Sequence, residues 1–421
     1  MNLKLTGLDR WILRVPFAPE IAEWNDLLVW QWQIVELVRL RTDSPSVFGW
    51  GESLPHYSWG RTPDDIDDRL KGRNPAELLW YADLGPSVNM ALFDLMGRAC
   101  EVPAHRLMGD RQVRDRCPIS WWNTKAPPEV LGNQAKLAAA NGYASQKIKA
   151  RPWFDLDAQI DAISAATPEH FRIDADWNEF LRDAGTAAPV LSMLDAKPKV
   201  MLYETPIPHA DLQGNRLLRT QCRKPIVHHW GAEPFPQQIR AEACDGFVVT
   251  WDHCGGIMKQ GRLCAEFNRP FFLQIVGPGL TTAYAAHLGS VLTHARWPMI
   301  TCLNTWADDL IREPLRIEHG DVIVPSGVGL GVEPDLDRIE SMRMDPPYDI
   351  PESRRLLTVT WASGRSVTFA GIDQMWEDFA LGHHPAQEPN VRLHVYRDDG
   401  SDAWNQRYRR AQVAPLYETI P

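Results

Sequence analysis

After Cys117 the chain falls into a repeating pattern of short strand-like runs, most of them separated by helix-like stretches, and this alternation limits the fold more than any other feature. The runs are Pro118 to Trp121, Gln146 to Lys149, Phe171 to Asp174, Val200 to Glu204, Pro225 to His229, Phe247 to Thr250, Phe271 to Gln274 and Met299 to Leu303. Eight strand–helix units predict a closed parallel barrel of the (β/α) TIM type, whereas fewer would favour an open doubly wound sheet. Before the barrel, apolar residues alternate from Leu3 to Val15, and a second apolar run extends from Leu27 to Leu40. This pattern reads as an antiparallel hairpin or meander. A helix opening at Pro86 follows, with Met90, Leu92, Leu95, Met96 and Ala99 on one face.

The expected organisation is an α/β protein with an α+β capping domain over 1–115 and a modified barrel over 116–320. A segment over 321–344 returns to the capping domain, and a β-rich C-terminal extension covers 345–421. In that extension Leu357 to Trp361 and Val391 to Val395 alternate, and Asp399-Gly400 marks a turn.

Composition excludes several function classes. The net charge is −10, and no stretch gathers Lys and Arg into the stripe that a phosphate backbone requires, so nucleic acid is not an expected partner. No run approaches the length of a membrane span, and the first twenty residues lack the continuous apolar core of a secretion signal. The seven cysteines are scattered without a C-x-x-C pair, which argues against a disulfide framework or a zinc ribbon. A cytoplasmic location is expected.

In a parallel barrel, chemistry gathers where strands end. Lys147-Ile148-Lys149 places two lysines on one side of its strand. Two ammonium groups in a buried site repel, which lowers at least one pKa and permits a neutral lysine base. The alternative is a structural ion pair from one lysine to Asp174 or Glu204. The next strands read Arg172-Ile173-Asp174-Ala175-Asp176 and Leu202-Tyr203-Glu204-Thr205-Pro206. Neighbouring carboxylates suit a shared hard cation, and singly each also suits a helix cap.

These motifs resemble the enolase superfamily, in its mandelate racemase and muconate lactonizing enzyme branch. The resemblance runs from about Leu3 to Val332. It rests on Arg41-Thr42-Asp43, Gly49-Trp50-Gly51-Glu52, the helix from Met90 to Ala99, the lysine pair, Asp174-Ala175-Asp176, Glu204-Thr205-Pro206, Gly255-Gly256, and Pro325-Ser326-Gly327-Val328-Gly329-Leu330-Gly331-Val332. The resemblance implies Lys149 as the base that removes a proton α to a carboxylate, with Lys147 adjusting its pKa. It implies Asp174 and Glu204 as the first two ligands of a Mg²⁺ that stabilises the enolate, and it implies a homo-oligomer.

The sequence then departs from the family. The third ligand position carries His228-His229, with His229 at the strand end, and imidazole suits metals other than Mg²⁺ better. The second-face acid/base positions carry Thr250 and Gln274, neither of which exchanges a proton usefully near neutral pH. Asn304 stands where a glutamate electrophile is common, and Asp252 and His253 lie just beyond the sixth strand. Racemisation needs proton transfer on both faces, so a racemase is not expected. A one-base dehydration of a sugar acid survives as an expectation. The competing one is a barrel that has lost this chemistry and binds a ligand or a protein partner.

By resemblance, the loops at about Phe17 to Asn25 and Ser53 to Arg61 close over the barrel mouth. The second holds His56, Tyr57, Trp59 and Arg61. Its mixture of aromatic and hydrogen-bonding groups suits a small carboxylate substrate, and Arg61 suits bidentate pairing with that carboxylate.

Overall fold

The computed structural model describes residues 3–57, 61–109, 111–250 and 253–419. The chain opens with a three-stranded antiparallel sheet, β1 (Leu5–Arg14), β2 (Ile34–Thr42) and β3 (Phe48–Ser53), in sequential order. The apolar run beginning at Leu27 does not enter this sheet intact. Its first residues belong to a helix, Ala22–Val29, in which Asn25 and Leu27 are buried, and pairing with β1 starts only at Ile34.

The helix Pro86–Ala99 lies directly against β3, and the glycines of Gly49-Trp50-Gly51 explain how. A Cβ at Gly49 would stand 2.1 Å from the Ala91 carbonyl oxygen, and one at Gly51 would stand 1.8 Å from that of Ser87. Only bare backbone permits this approach. The same helix anchors the returning segment. Asp94 Oδ2 accepts from Trp50 N at 2.8 Å and Oδ1 accepts from Leu330 N at 2.7 Å, in the glycine-rich turn, where Gly329 has φ +65°.

β4 (Arg116–Pro118) is not the first barrel strand. It pairs with a returning hairpin, β12 (Ile317–Glu318) and β13 (Asp321–Ile323). The barrel is a parallel sheet of seven strands in sequential order: β5 (Trp121–Trp122), β6 (Ser145–Lys149), β7 (Arg172–Asp176), β8 (Val200–Glu204), β9 (Ile226–His229), β10 (Gly246–Thr250) and β11 (Phe271–Gln274). The eighth position is held by single bridges. Met299 pairs with Ile119 and Ile300 with Gln274, which joins the two edges. Pro298 precedes this segment, and the proline's missing N–H is consistent with its brevity.

The C-terminal residues form a second antiparallel sheet in the order β16 (Arg392–Arg397), β14 (Arg355–Thr360), β15 (Arg365–Phe369) and β17 (Leu416–Thr419). Two helices accompany this sheet. One of them, Asp402–Val413, is capped by Ser401, whose side chain accepts from Trp404 N. The Asp399-Gly400 turn, with Gly400 at φ +76°, leads into this helix. The other, Ile372–Ala380, carries Ile372, Met375 and Phe379 into a core shared with Trp153, Phe154 and Phe180 from the barrel loops and with Leu27. The extension is thus packed onto the mouth of the barrel. Among the described residues no helix is long and apolar enough to cross a membrane.

Candidate active site

Strand register decides which charges meet. Lys147 lies beside Asp174, Lys149 beside Asp176, and Asp176 beside Glu204. Because strand side chains alternate, Lys147 and Lys149 share the inner face while Ile148 packs outward into the core. Lys147, Asp176 and Glu204 are fully buried, and Asp174 is nearly so.

The two lysines divide the carboxylates unequally. Lys147 Nζ donates to Glu204 Oε2 and, at 3.0 Å, to Gln274 Oε1, and it stands 3.5 Å from Asp176 Oδ2. Lys149 Nζ donates to Asp176 Oδ2 and, at 3.2 Å, to Asn178 Oδ1. Its side chain is 15% exposed, against 0% for Lys147, so Lys149 is the lysine open to the mouth.

Their proton affinities split accordingly. Burial alone would lower the pKa of Lys147, but the charges of Glu204, Asp176 and Asp174 outweigh it and hold the ammonium charged. Burial is the main cause that lowers Lys149, with Asp176 opposing and Lys147 reinforcing. Burial pushes Asp176 up, but Lys149, Lys147 and Arg151 together hold it well below the usual range. Asp174 is pushed well above it, first by burial and then by Glu204.

Sequence reasoning centred the site on Asp174, whereas Asp176 is the carboxylate shared by both lysines. The alternation of Asp174-Ala175-Asp176 carried the signal, since both side chains face inward and Asp176 is the last residue of its strand. Asn178 and Arg151 had no such signal. Asn178 and Glu179 both adopt positive φ, 46° and 72°, and this turn sets Asn178 Oδ1 between Lys149 and the Arg151 guanidinium. Arg151 also donates to the carbonyls of Ala150 and Asp176, each at 2.9 Å.

At the end of β9 the two histidines separate. His228 is buried on the outer face between Gln238 Oε1 (2.8 Å) and Asn215 Oδ1 (3.0 Å), and burial pushes its pKa down to about 3. His229 faces inward, with Nε2 3.0 Å from Glu204 Oε1. His209 fixes this strand end by accepting from His229 N at 3.2 Å while its Nδ1 lies 2.8 Å from Glu179 Oε1.

The fit of Mg²⁺ follows from these contacts. Asp174 Oδ1 is buried with no hydrogen-bond partner, as a cation or a proton there would require. Glu204, however, already has one oxygen on Lys147 and the other on His229. The third donor is an imidazole, and among the described residues no group of three or more His, Cys, Asp or Glu side chains is arranged to hold a metal ion. The donor set does not fit a three-carboxylate Mg²⁺ site.

The remaining expected positions are distributed unevenly. Gln274 is at the site, with Nε2 3.4 Å from Tyr57 Oη, so Tyr57 reaches the barrel mouth. Trp32 joins it, its ring 4.8 Å from Tyr57 and 5.2 Å from Trp122. Thr250 Oγ1 donates to the Gln274 carbonyl at 2.7 Å. Asn304 spends both amide atoms on the Trp122 backbone, accepting from N and donating to O at 2.9 Å each, which clamps the closing segment to β5. His56 is exposed and lies 3.2 Å from the Tyr348 carbonyl. Arg61 is exposed and paired with Asp64 at 2.9 Å. Trp59 and Asp252 lie outside the described residues. Arg61→Ala is expected to change the unfolding free energy read from urea titration by no more than about 0.5 kcal/mol, as for an exposed pair.

Comparison with known proteins agrees with this fold. Residues 130–338 match the family model described as enolase C-terminal domain-like. The N-succinyl-L-Arg/Lys racemase of Bacillus cereus is 21% identical over 371 residues, covering 81% of this chain and 98% of the relative. Its crystal structure superposes with a TM-score of 0.65 at 17% identity, over 81% of this chain and 98% of that one. The D-gluconate dehydratase of Thermoproteus tenax is 24% identical, over 62% of this chain and 56% of its own. Muconate cycloisomerase 1-2 of Acinetobacter lwoffii is 25% identical, over 62% and 69%. These matches, a barrel of parallel strands under an antiparallel cap, and a lysine pair facing strand-end carboxylates place the chain in the enolase superfamily, in its mandelate racemase and muconate lactonizing enzyme branch.

Proposed function

We propose that this protein is a lyase or isomerase that removes the proton α to a carboxylate, and that its reaction is the dehydration of a sugar acid. The observation that carries the reading is the asymmetry of the lysine pair: Lys149 is open to the mouth with a lowered pKa, while Lys147 is sealed and held charged. A neutral Lys149 takes the α-proton. The Lys147 ammonium, fixed by Glu204 and Gln274, offsets the negative charge that develops on the substrate. Proton removal breaks the C–H bond and leaves its electron pair in an enolate, which Lys149 can reprotonate with a solvent-derived deuteron or which goes on to the C=C bond as the β-hydroxyl leaves. The Lys149 ammonium returns the proton to that hydroxyl, so water departs and the base is restored. The resulting enol tautomerises to a 2-keto acid. One face suffices for this syn elimination, and on the other Gln274 and Thr250 are committed to hydrogen bonds and hold no titratable proton near pH 7. The name of the relative D-gluconate dehydratase supports the substrate class.

The test is incubation of the purified protein with a panel of acid sugars in D₂O, with and without divalent metals, following α-deuteration and 2-keto acid release. Exchange with at least one acid is expected. Binding of an acid without exchange under any condition would replace this reading with that of a catalytically silent ligand-binding barrel. That second reading draws on Glu204, Gln274 and Asn304, whose polar atoms are engaged within the protein.

A further inference from the structure

The C-terminal extension brings one aromatic ring to the barrel mouth where cations are in excess. Trp376, on the helix Ile372–Ala380, stands 4.6 Å from the Phe180 ring and 6.2 Å from that of Trp153, both on loops that follow barrel strands. Lys125 Nζ lies 5.3 Å from the centre of the Trp376 ring, and Arg151 Cζ lies 4.9 Å from it. Lys125 follows β5 by three residues, so it belongs to the same end of the barrel as Lys149. Among the described residues Lys125 makes no hydrogen bond and no ion pair. Arg151 is 1% exposed, and its Nε is buried without a partner.

An aromatic face holds a cation without neutralising it, unlike a carboxylate. The cations acting on Lys125 are Arg151 and Lys149 and the carboxylate acting on it is Asp176, while Glu204 also acts on Lys149 and Arg151. Burial, reinforced by Arg151 and Lys149, lowers the Lys125 pKa well below the ordinary lysine value, and an anion bound beside Lys125 would oppose that shift and favour the ammonium. Beside this cluster a cavity of about 360 Å³ is lined by Asn178, Glu179, Phe180, Arg182, Pro208 and Trp376. Asn178 links it to the reaction centre through Lys149.

We infer that Lys125, with Trp376 of the C-terminal extension behind it, forms a subsite for a second anionic group on the substrate, so that the substrate carries an anion at each end. This inference rests on the proposed acid-sugar reading. It assigns the extension a direct part in choosing the substrate. The second anion is a carboxylate or a phosphate ester, since an ammonium recognises both.

The test is calorimetric binding to the full chain, which does not depend on turnover. Three ligands are compared: an aldonate with one carboxylate, an aldarate with two, and an aldonate bearing a terminal phosphate ester. The unmodified protein is expected to bind at least one dianionic ligand ten-fold or more tighter than the aldonate, and the ligand preferred identifies the second anion. Lys125→Met is expected to remove that preference, weakening the dianion at least ten-fold more than the aldonate. Trp376→Leu is expected to reduce the preference while urea unfolding shows a folded protein. If Trp376→Leu does not fold, the Lys125→Met comparison decides. Equal affinity for all three ligands in the unmodified protein, or equal losses in Lys125→Met, overturns the inference. A Lys125-dependent preference with no α-deuteration would retain the subsite and reject the proposed reaction.

Discussion

Lys149→Met is expected to abolish α-deuteration of the active acid sugar, lowering kcat/KM by about 10²–10⁴-fold, the usual contribution of a positioned general base. The side chain is the part-exposed member of the lysine pair, and methionine nearly matches its length while removing the exchangeable nitrogen. Because the loss falls on the chemical step, KM should change far less than kcat, and the acid should still bind. The pH profile supplies a second readout. Burial lowers the pKa of Lys149, so the ascending limb of kcat/KM is expected below the ordinary lysine value of about 10.4. Asp176 opposes that shift, and Asp176→Asn should therefore move the limb to lower pH. Retained exchange in Lys149→Met would refute the base assignment.

Lys147→Met is expected to cost stability as well as activity, by about 3–5 kcal/mol, because it leaves a buried carboxylate without its partner. Glu204 and Asp176 are both fully buried, and with Lys147 gone the side-chain partner left to Glu204 among the described residues is His229. Removing both charges in Lys147→Met/Glu204→Gln should recover part of the loss. The recovery would be read from urea midpoints as a double-mutant cycle, and a purely additive cycle would show that the pair is not coupled. The pH dependence has a definite sign. The folded pKa of Lys147 is raised, so its contribution is complete below the unfolded value of about 10.4 and is lost as pH rises through the folded one. Asp176 is depressed, so its contribution is complete above the unfolded value of about 3.9 and is lost as pH falls through the folded one. Between these limits Lys147 and Asp176 add no pH dependence, and what remains comes from Asp174, whose pKa is raised, and Lys149, whose pKa is lowered. The Lys147→Met deficit should shrink on acidification, as the stranded carboxylate becomes cheaper to protonate.

Much of the site was legible in the chain because strand alternation is a local property. Lys147, Lys149, Asp174 and Glu204 could be set on one inner face from spacing alone, and the lysine pair does meet carboxylates there. Spacing could not say which carboxylate each lysine takes. That depends on the register between strands, which sets Lys149 beside Asp176 and leaves Asp174 Oδ1 without a partner. Arg61 shows the same limit: its side chain suits a substrate carboxylate, yet Asp64, three residues on, claims it.

The sequence by itself determined the barrel, its capping sheet and the identity of the inward-facing lysines, since these follow from hydrophobic period and strand-end position along one chain. The tertiary structure decided the rest. It set the division of charge between the two lysines, the commitment of Glu204 to Lys147 and His229, and the placement of Trp376 above Lys125 and Arg151. Lys125 and Trp376 are 251 residues apart in sequence (376 − 125), and no local pattern links them. The core that Phe379 and Met375 share with Trp153 and Phe180 brings them together.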